Sequence, residues 1–391
     1  MRSARGVATL SALPMTCRAT FPWRTWWPSL RASARPERAD QRSVVGMMTK
    51  RERVLATLAG KKTDRTCYSF RAENETCEKL YRYLGFRDYD RLVDYLNPDI
   101  LLINAAFPPE KNMGAFWQNC WGERYIYKQT EYGPVREDME GALAGAASLE
   151  EIKNFRWPKN DEVDYSNVAA SIDRHPDMAV QYGAADVWQR PGLVRGMANF
   201  MVDMLINPDY CHFMSDYFTR FYIEDYTRAQ EAAHGRIDIF TLYSDLGSQK
   251  APLISNTLFR EFVFPYVKRM ADAVHSIGGK LFFHSCGAVY PFIDGLIEAG
   301  IDILDPIQPC TPEMQPEYLA AHFGGKVCFH GGVDVQQVLS VGTPQDVRAS
   351  IERYKKAFAG CAYICAPTHF LQVDAPVENI LALYGECMSD K

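Results

Sequence analysis

The chain has 391 residues, 47% of them hydrophobic and 23% charged, with a formal net charge of −5. That is an ordinary globular composition, long enough for one large domain or two small ones, and the main body carries no Lys/Arg block of the kind a nucleic-acid surface needs. No apolar run approaches the ~18 residues of a membrane helix, and eleven cysteines without framework spacing read as reduced thiols of a cytoplasmic protein, with one or two on a metal.

Residues 1–47 differ from the rest. They hold eight Arg, no Lys and two acids, Glu37 and Asp40, with Trp23, Trp26 and Trp27. An Arg-rich, acid-poor start is the pattern of an organellar transit peptide. The favoured alternative is an unstructured leader ahead of a true start at Met47 or Met48. From there Thr49 and Glu52 form a capping box for a first helix. The fold is assigned to 48–388.

From Arg65 onward, short apolar runs alternate with longer helical patterns. Candidate strands cover 66–70, 99–103, 178–183, 237–243, 280–284, 301–304, 326–330 and 362–366. Candidate helices cover 73–84, 195–206, 210–234, 256–277, 291–299, 316–323 and 344–358. Ser255 and Thr343 are placed as N-caps, the latter ahead of Pro344 at the first helical position. Gly235, Gly278, Gly300 and Gly324 are placed as helix stops. Eight strands alternating with helices predict an α/β fold, a single-domain (β/α)8 TIM-type barrel. An open doubly wound sheet is second, because no G-x-G-x-x-G follows an early strand. Residues 104–158, rich in Gly, Trp and Tyr, form an insertion after the second strand, expected as a hairpin or a lid over the barrel mouth.

In such a barrel, chemistry gathers at the C-terminal strand ends. Asp245 follows the fourth strand, and His284 and Cys286 close the fifth. Gln308 and Cys310 follow the sixth. His330 and Asp334 follow the seventh, Cys365 and His369 the eighth. Residues i and i+2 of a strand face the same way. His284 and Cys286 therefore aim an imidazole and a thiol at one point, which is half of a zinc site. A buried His beside a buried Cys is the plainer alternative for that pair.

Four stretches carry a family likeness: Ser244-Asp245-Leu246-Gly247-Ser248-Gln249, His284-Ser285-Cys286-Gly287, Phe329-His330-Gly331-Gly332-Val333-Asp334, and Ala366-Pro367-Thr368-His369 with Asp374-Ala375-Pro376-Val377-Glu378-Asn379-Ile380. Together they resemble the uroporphyrinogen decarboxylase superfamily over about residues 48–388. It includes decarboxylases of haem synthesis and zinc methyltransferases that carry methyl groups from corrinoid proteins to thiols. The decarboxylases grip a polycarboxylated ring through an Arg-rich segment with an A-G-R-Y pattern. Here Arg71 is the one Arg near that position, which argues against uroporphyrinogen, since many carboxylates require many cations.

The resemblance to the thiol methyltransferases implies a zinc on His284, Cys286 and a third ligand after the last strand. Ungapped spacing puts His369 there, with Cys365 as the alternative. It also implies Asp245 and Asp334 as catalytic-site carboxylates, each with a loop-capping role as its alternative. Arg71, Gln308 and His330 become substrate contacts. For Arg190 and Arg195, which flank Pro191-Gly192, a solvated loop pair is the favoured reading and a hold on an anionic substrate group the alternative. The expected reaction is methyl transfer from a corrinoid on a partner protein to a small thiol. A metal-free tetrapyrrole decarboxylase is the alternative, and a non-catalytic corrinoid- or porphyrin-binding protein the third reading. A homodimer fits this assignment; nucleic acid and membrane do not.

Overall fold

In the computed structural model, residues 47–130 and 133–387 are described. Residues 1–46, on which the leader expectation falls, lie outside them. The twelve strands in chain order are β1 (Cys67–Tyr68), β2 (Ile100–Ile103), β3 (Lys111–Asn112), β4 (Trp117–Gln118), β5 (Arg124–Thr130), β6 (Gly133–Asp138), β7 (Ala179–Asp186), β8 (Ile239–Tyr243), β9 (Lys280–His284), β10 (Ile303–Asp305), β11 (Cys328–Val333) and β12 (Tyr363–Pro367). Eight of them pair in parallel in the order β1-β12-β11-β10-β9-β8-β7-β2. A parallel bridge between Ser69 and Ile100 joins the two ends. The result is the (β/α)8 barrel that the alternation predicts.

Strand alternation fills the barrel in layers. One residue from each strand, namely Cys67, Ile100, Ala179, Ile239, Phe282, Ile303, Cys328 and Ile364, packs with Val54 in a separate inner core. Val54 belongs to the helix Lys50–Leu58, which Thr49 and Glu52 cap reciprocally, as the sequence predicts. Below this layer, Asp99 is fully buried between Arg53 and Arg65, at 2.6 and 2.7 Å. The remaining apolar side chains form a larger core between the strands and the surrounding helices.

Two residues further along each strand, the same inward row becomes polar on six strands: Ser69, Gln181, Thr241, His284, Asp305 and His330, all buried. The barrel thus carries an apolar floor and a polar ceiling, and the ceiling faces the mouth.

The structure departs from expectation in several places, three of which shape the barrel's surroundings. The helical pattern over 256–277 breaks at Val263 into Asn256–Phe262 and Phe264–Ser276, because Pro265 brings no N–H and fits only the first turn of a new helix. Gly324 ends the helix Pro316–Phe323 without a left-handed conformation. Its own requirement is room: a Cβ there would stand 2.4 Å from the Ala320 carbonyl oxygen. The insertion is more than a hairpin. It is an antiparallel sheet in the order β3-β4-β5-β6, fixed to the β7 side of the barrel by Trp121, whose ring packs 4.7 Å from Phe221 and 5.2 Å from Phe218 of the long helix Pro208–Ala232.

Candidate metal centre

β9 and β10 build the site. Ile303 and Phe282 both face inward, so Asp305 and His284, two residues on, do the same, and the parallel register pairs them directly. Asp305 accepts two hydrogen bonds from Arg71, at 2.6 and 2.7 Å, one from His330 Nδ1 at 2.6 Å, and one from His284 Nδ1. Burial alone would raise the Asp305 carboxyl, but Arg71, His330 and His284 outweigh it and hold the group well below the usual carboxylate range. A carboxylate only accepts, so the protons on both imidazoles sit on Nδ1. His284 Nε2 faces the other way, 3.4 Å from Cys286 Sγ. His330 Nε2 accepts from the Ser69 hydroxyl at 2.7 Å. Burial pushes His330 below its ordinary value despite Asp305.

Two loops fix Cys286. The β8 loop and the β9 loop touch backbone to backbone. A Cβ on Gly247 would meet the Cys286 carbonyl oxygen at 2.7 Å, and one on Gly287 would meet Ser248 O at 2.5 Å. Glycine at both positions permits the contact, and Gly287 also holds φ near +83°, a conformation costly for other residues. Across this seam Asp245 Oδ1 accepts from Cys286 N at 2.8 Å, and Ser285 Oγ accepts from Leu246 N at 2.8 Å. The same Asp245 oxygen lies 3.7 Å from His284 Nε2. On the far side, Gln308 accepts from Gly287 N at 2.7 Å.

His369 comes from the segment after β12, with its ring edge-on to His284 at 6.1 Å. Although it keeps part of its surface in solvent, burial, then His284 and Arg71, push its pKa down to about 3, so it is a neutral imidazole at neutral pH. One ligand atom each from His284, Cys286 and His369 lie within 4.8 Å of one another. The centre of such a triangle is at most about 2.8 Å from each corner, so side-chain shifts of about 0.5–0.8 Å reach the ~2.0–2.3 Å bonds of zinc. Two imidazoles and one thiol form the nitrogen–sulfur donor set that zinc takes, with a fourth position left open.

The other predicted residues fall into place around this trio. Cys365 stands next to inward-facing Ile364, so it points outward into the larger core and does not join the trio. Arg71 spends its terminal nitrogens on Asp305 and on Pro367 O. Arg195 is likewise engaged, with Asp203 at 2.6 Å and the Leu143 and Ala144 carbonyls. It therefore ties the insertion down, and the solvated loop pair does not form. Arg190 donates to the Tyr222 hydroxyl at 2.8 Å and lies 3.2 Å from Glu123 of the insertion. Asp334 caps the turn Val335–Leu339 through Gln336 N and Gln337 N. Cys310 is half-buried against the larger core.

Sequence reasoning missed Asp305, because the sixth candidate strand was ended at Leu304. The signal was present: Asp305 follows inward-facing Ile303 by two. It also missed Ser69, which lies two residues before Arg71 on the same inward row.

A buried, charge-neutralised His–carboxylate–His array beside a His-Cys-His donor set defines an enzyme-like barrel mouth, and the comparisons agree on the class. The uroporphyrinogen decarboxylase (URO-D) family model matches residues 191–388; the chain belongs to this family. No curated protein matches the sequence. Among solved structures, a methyltransferase from Methanosarcina mazei is 16% identical, with 87% of this chain and 98% of that chain covered at a TM-score of 0.63. A B12-independent methionine synthase from Shewanella is 10% identical, with 80% and 85% covered at a TM-score of 0.39. The first of these shares the fold.

Proposed function

We propose that the chain is a zinc-dependent methyltransferase that moves a methyl group from a corrinoid donor, carried by a partner protein, to a small thiol. The convergence of His284, Cys286 and His369 at the mouth carries this reading. Its complement is the state of Arg71, which is neutralised by Asp305 and so offers little to a ring bearing many carboxylates.

In this reading a bound zinc supplies a positive centre that favours the thiolate form of the acceptor. The protein residues prepare that centre. Asp305 fixes the His284 tautomer and ring, as a carboxylate behind a ligating imidazole does. Asp245 and Gln308 lock the backbone of Cys286 and Gly287. The acceptor sulfur then uses its electron pair to form the S–CH3 bond, while the pair of the breaking methyl–cobalt bond stays on the corrinoid.

The test is metal analysis of the intact protein with parallel assays, one supplying methylcobalamin and a panel of small thiols, the other uroporphyrinogen. About one zinc per chain and thiol methylation are expected. Cys286→Ser should lower both together, since a hydroxyl is a far poorer zinc ligand than a thiolate. Turnover of uroporphyrinogen by metal-free protein would replace this reading with a decarboxylase.

A further inference from the structure

Ser69 and His330 belong to the barrel wall rather than to the open mouth. They are 5% and 1% exposed, so His330 does not take the place of a substrate contact that the sequence predicts for it. Both are nonetheless joined to the metal trio by an unbroken line of hydrogen bonds. The Ser69 hydroxyl donates to His330 Nε2 at 2.7 Å, His330 Nδ1 donates to Asp305 Oδ1 at 2.6 Å, and Asp305 Oδ2 accepts from His284 Nδ1. The same order of groups activates a serine nucleophile where the hydroxyl is open to substrate. Here the hydroxyl is closed off, and the line acts on Asp305 instead.

A carboxylate turns easily about its last side-chain torsion, which is broad for Asp. The plane of Asp305 is therefore set by its partners. Arg71 grips both oxygens, at 2.6 and 2.7 Å. Its stem is long, however, and among the described residues its Nε has no hydrogen-bond partner, so Arg71 and Asp305 can swing as a unit. His330 supplies the stop. Its ring stands on β11, edge-on to Phe282 with centroids 4.9 Å apart, and its far nitrogen is held by Ser69. Ser69 in turn sits at the barrel seam. Its N donates to Cys365 O at 3.2 Å, its bridge to Ile100 closes the barrel, and its carbonyl accepts from the Tyr384 hydroxyl at 3.3 Å.

We propose that Ser69 and His330 are positioning residues for the metal. They hold the Asp305 carboxylate in the plane from which Oδ2 meets His284, so a hydroxyl at the barrel seam tunes the metal affinity of the trio. The inference rests on the metal reading of His284, Cys286 and His369. Loss of the hydroxyl frees the His330 ring and then the carboxylate, and His284 no longer keeps one orientation toward the centre of the trio.

Zinc affinity, measured by chelator competition on wild type, Ser69→Ala, Asp305→Asn and the double variant, forms a cycle. Ser69→Ala should bind zinc about three- to tenfold more weakly, the scale of one hydrogen bond. In the Asp305→Asn background the same change should alter affinity by less than about twofold, since the line is already cut. His330→Leu also cuts the line and is the second background should Asp305→Asn fail to fold. Ser69→Thr keeps the hydroxyl and should restore most of the affinity. Cobalt(II) loaded in place of zinc should show altered visible bands in Ser69→Ala, because the ligand geometry shifts. Wild-type zinc affinity in Ser69→Ala, or an equal loss in both backgrounds, overturns the proposal and leaves the metal site standing. Wild-type protein that holds no zinc overturns the metal reading and this proposal with it.

Discussion

Asp305 and His284 are register partners on adjacent parallel strands, and the carboxylate of the first accepts the Nδ1 proton of the second. This pairing aims His284 Nε2 at Cys286. The same carboxylate neutralises the buried Arg71 guanidinium, so one group both orients the candidate ligand and balances the mouth's charge.

Asp305→Asn should therefore have two effects. Zinc affinity should fall about 10–100-fold, as expected when the group behind a ligating His is lost. Stability should fall by about 3–5 kcal/mol, because Arg71 is left buried without its counter-ion. Chelator competition and urea unfolding measure the two separately. Arg71→Met removes the cation yet leaves Asp305 on His284, so it should lose stability and keep most of the zinc affinity. A folded Asp305→Asn protein with unchanged zinc affinity would disprove the orienting role.

The third ligand can be decided by a pair of substitutions. His369→Ala should reduce zinc content to a small fraction while leaving the cores intact. Cys365→Ser should do the reverse. It places a hydroxyl in the apolar layer between β12 and the helices, at a cost of about 1–3 kcal/mol, and keeps the zinc. Zinc loss from the Cys365 variant at full stability would reverse the assignment.

The barrel was legible because each of its strands is a short apolar run closed by Gly, Pro or a polar residue. Lys280–His284 appears with the predicted bounds. Strand ends were less legible. Asp305 ends the apolar run but not the ladder, since its backbone still pairs with His284, and cross-strand pairing leaves no mark in a single strand's hydropathy. The helix Tyr89–Leu96 was missed, although Asp88 caps it and Leu92, Val93 and Leu96 face the core. The metal trio was legible from H-x-C and a distant His. The Arg71–Asp305–His330–Ser69 array was not, because its members come from three strands and meet only when the sheet closes.

A different carboxylate sets part of the acid sensitivity. Asp64 accepts from Arg53 at 2.6 and 2.8 Å, and those bonds lower its pKa to about 2. An acid whose folded pKa is depressed stabilises the fold above its unfolded value near 3.9 and loses that contribution as pH falls through the folded value. Because Asp64 is exposed and solvent screens its ion pair, that contribution is about 1 kcal/mol or less, and it should disappear between pH ~4 and ~2. Asp64→Asn should be less stable than wild type at pH 7 and should approach it near pH 2, as followed by urea unfolding. A constant gap across that range would show that the Arg53 pair does not respond to acid.

A chain beginning at Met48 should fold and function. Among the described residues, the contacts of the barrel floor start at or after that residue. The Met48 carbonyl accepts from Arg53 at 2.8 Å, Thr49 and Glu52 cap the first helix, and Val54 fills the inner layer. Removing residues 1–47 leaves these in place, so unfolding free energy should stay within about 0.5 kcal/mol of the full chain. A chain beginning at Thr57 is the contrast. It lacks Val54 from the inner layer and Arg53 from Asp99, a fully buried carboxylate then held by Arg65 and the Tyr68 N–H. Breaking a buried ion pair costs about 3–5 kcal/mol, and emptying an aliphatic site costs a few more. Against a total stability of about 5–15 kcal/mol, the shorter chain should be insoluble or unfolded at 37 °C. Thermal melts of the two truncated chains beside the full one make the comparison. A Met48 chain that fails to yield soluble protein would show that residues 1–47 belong to the folded unit.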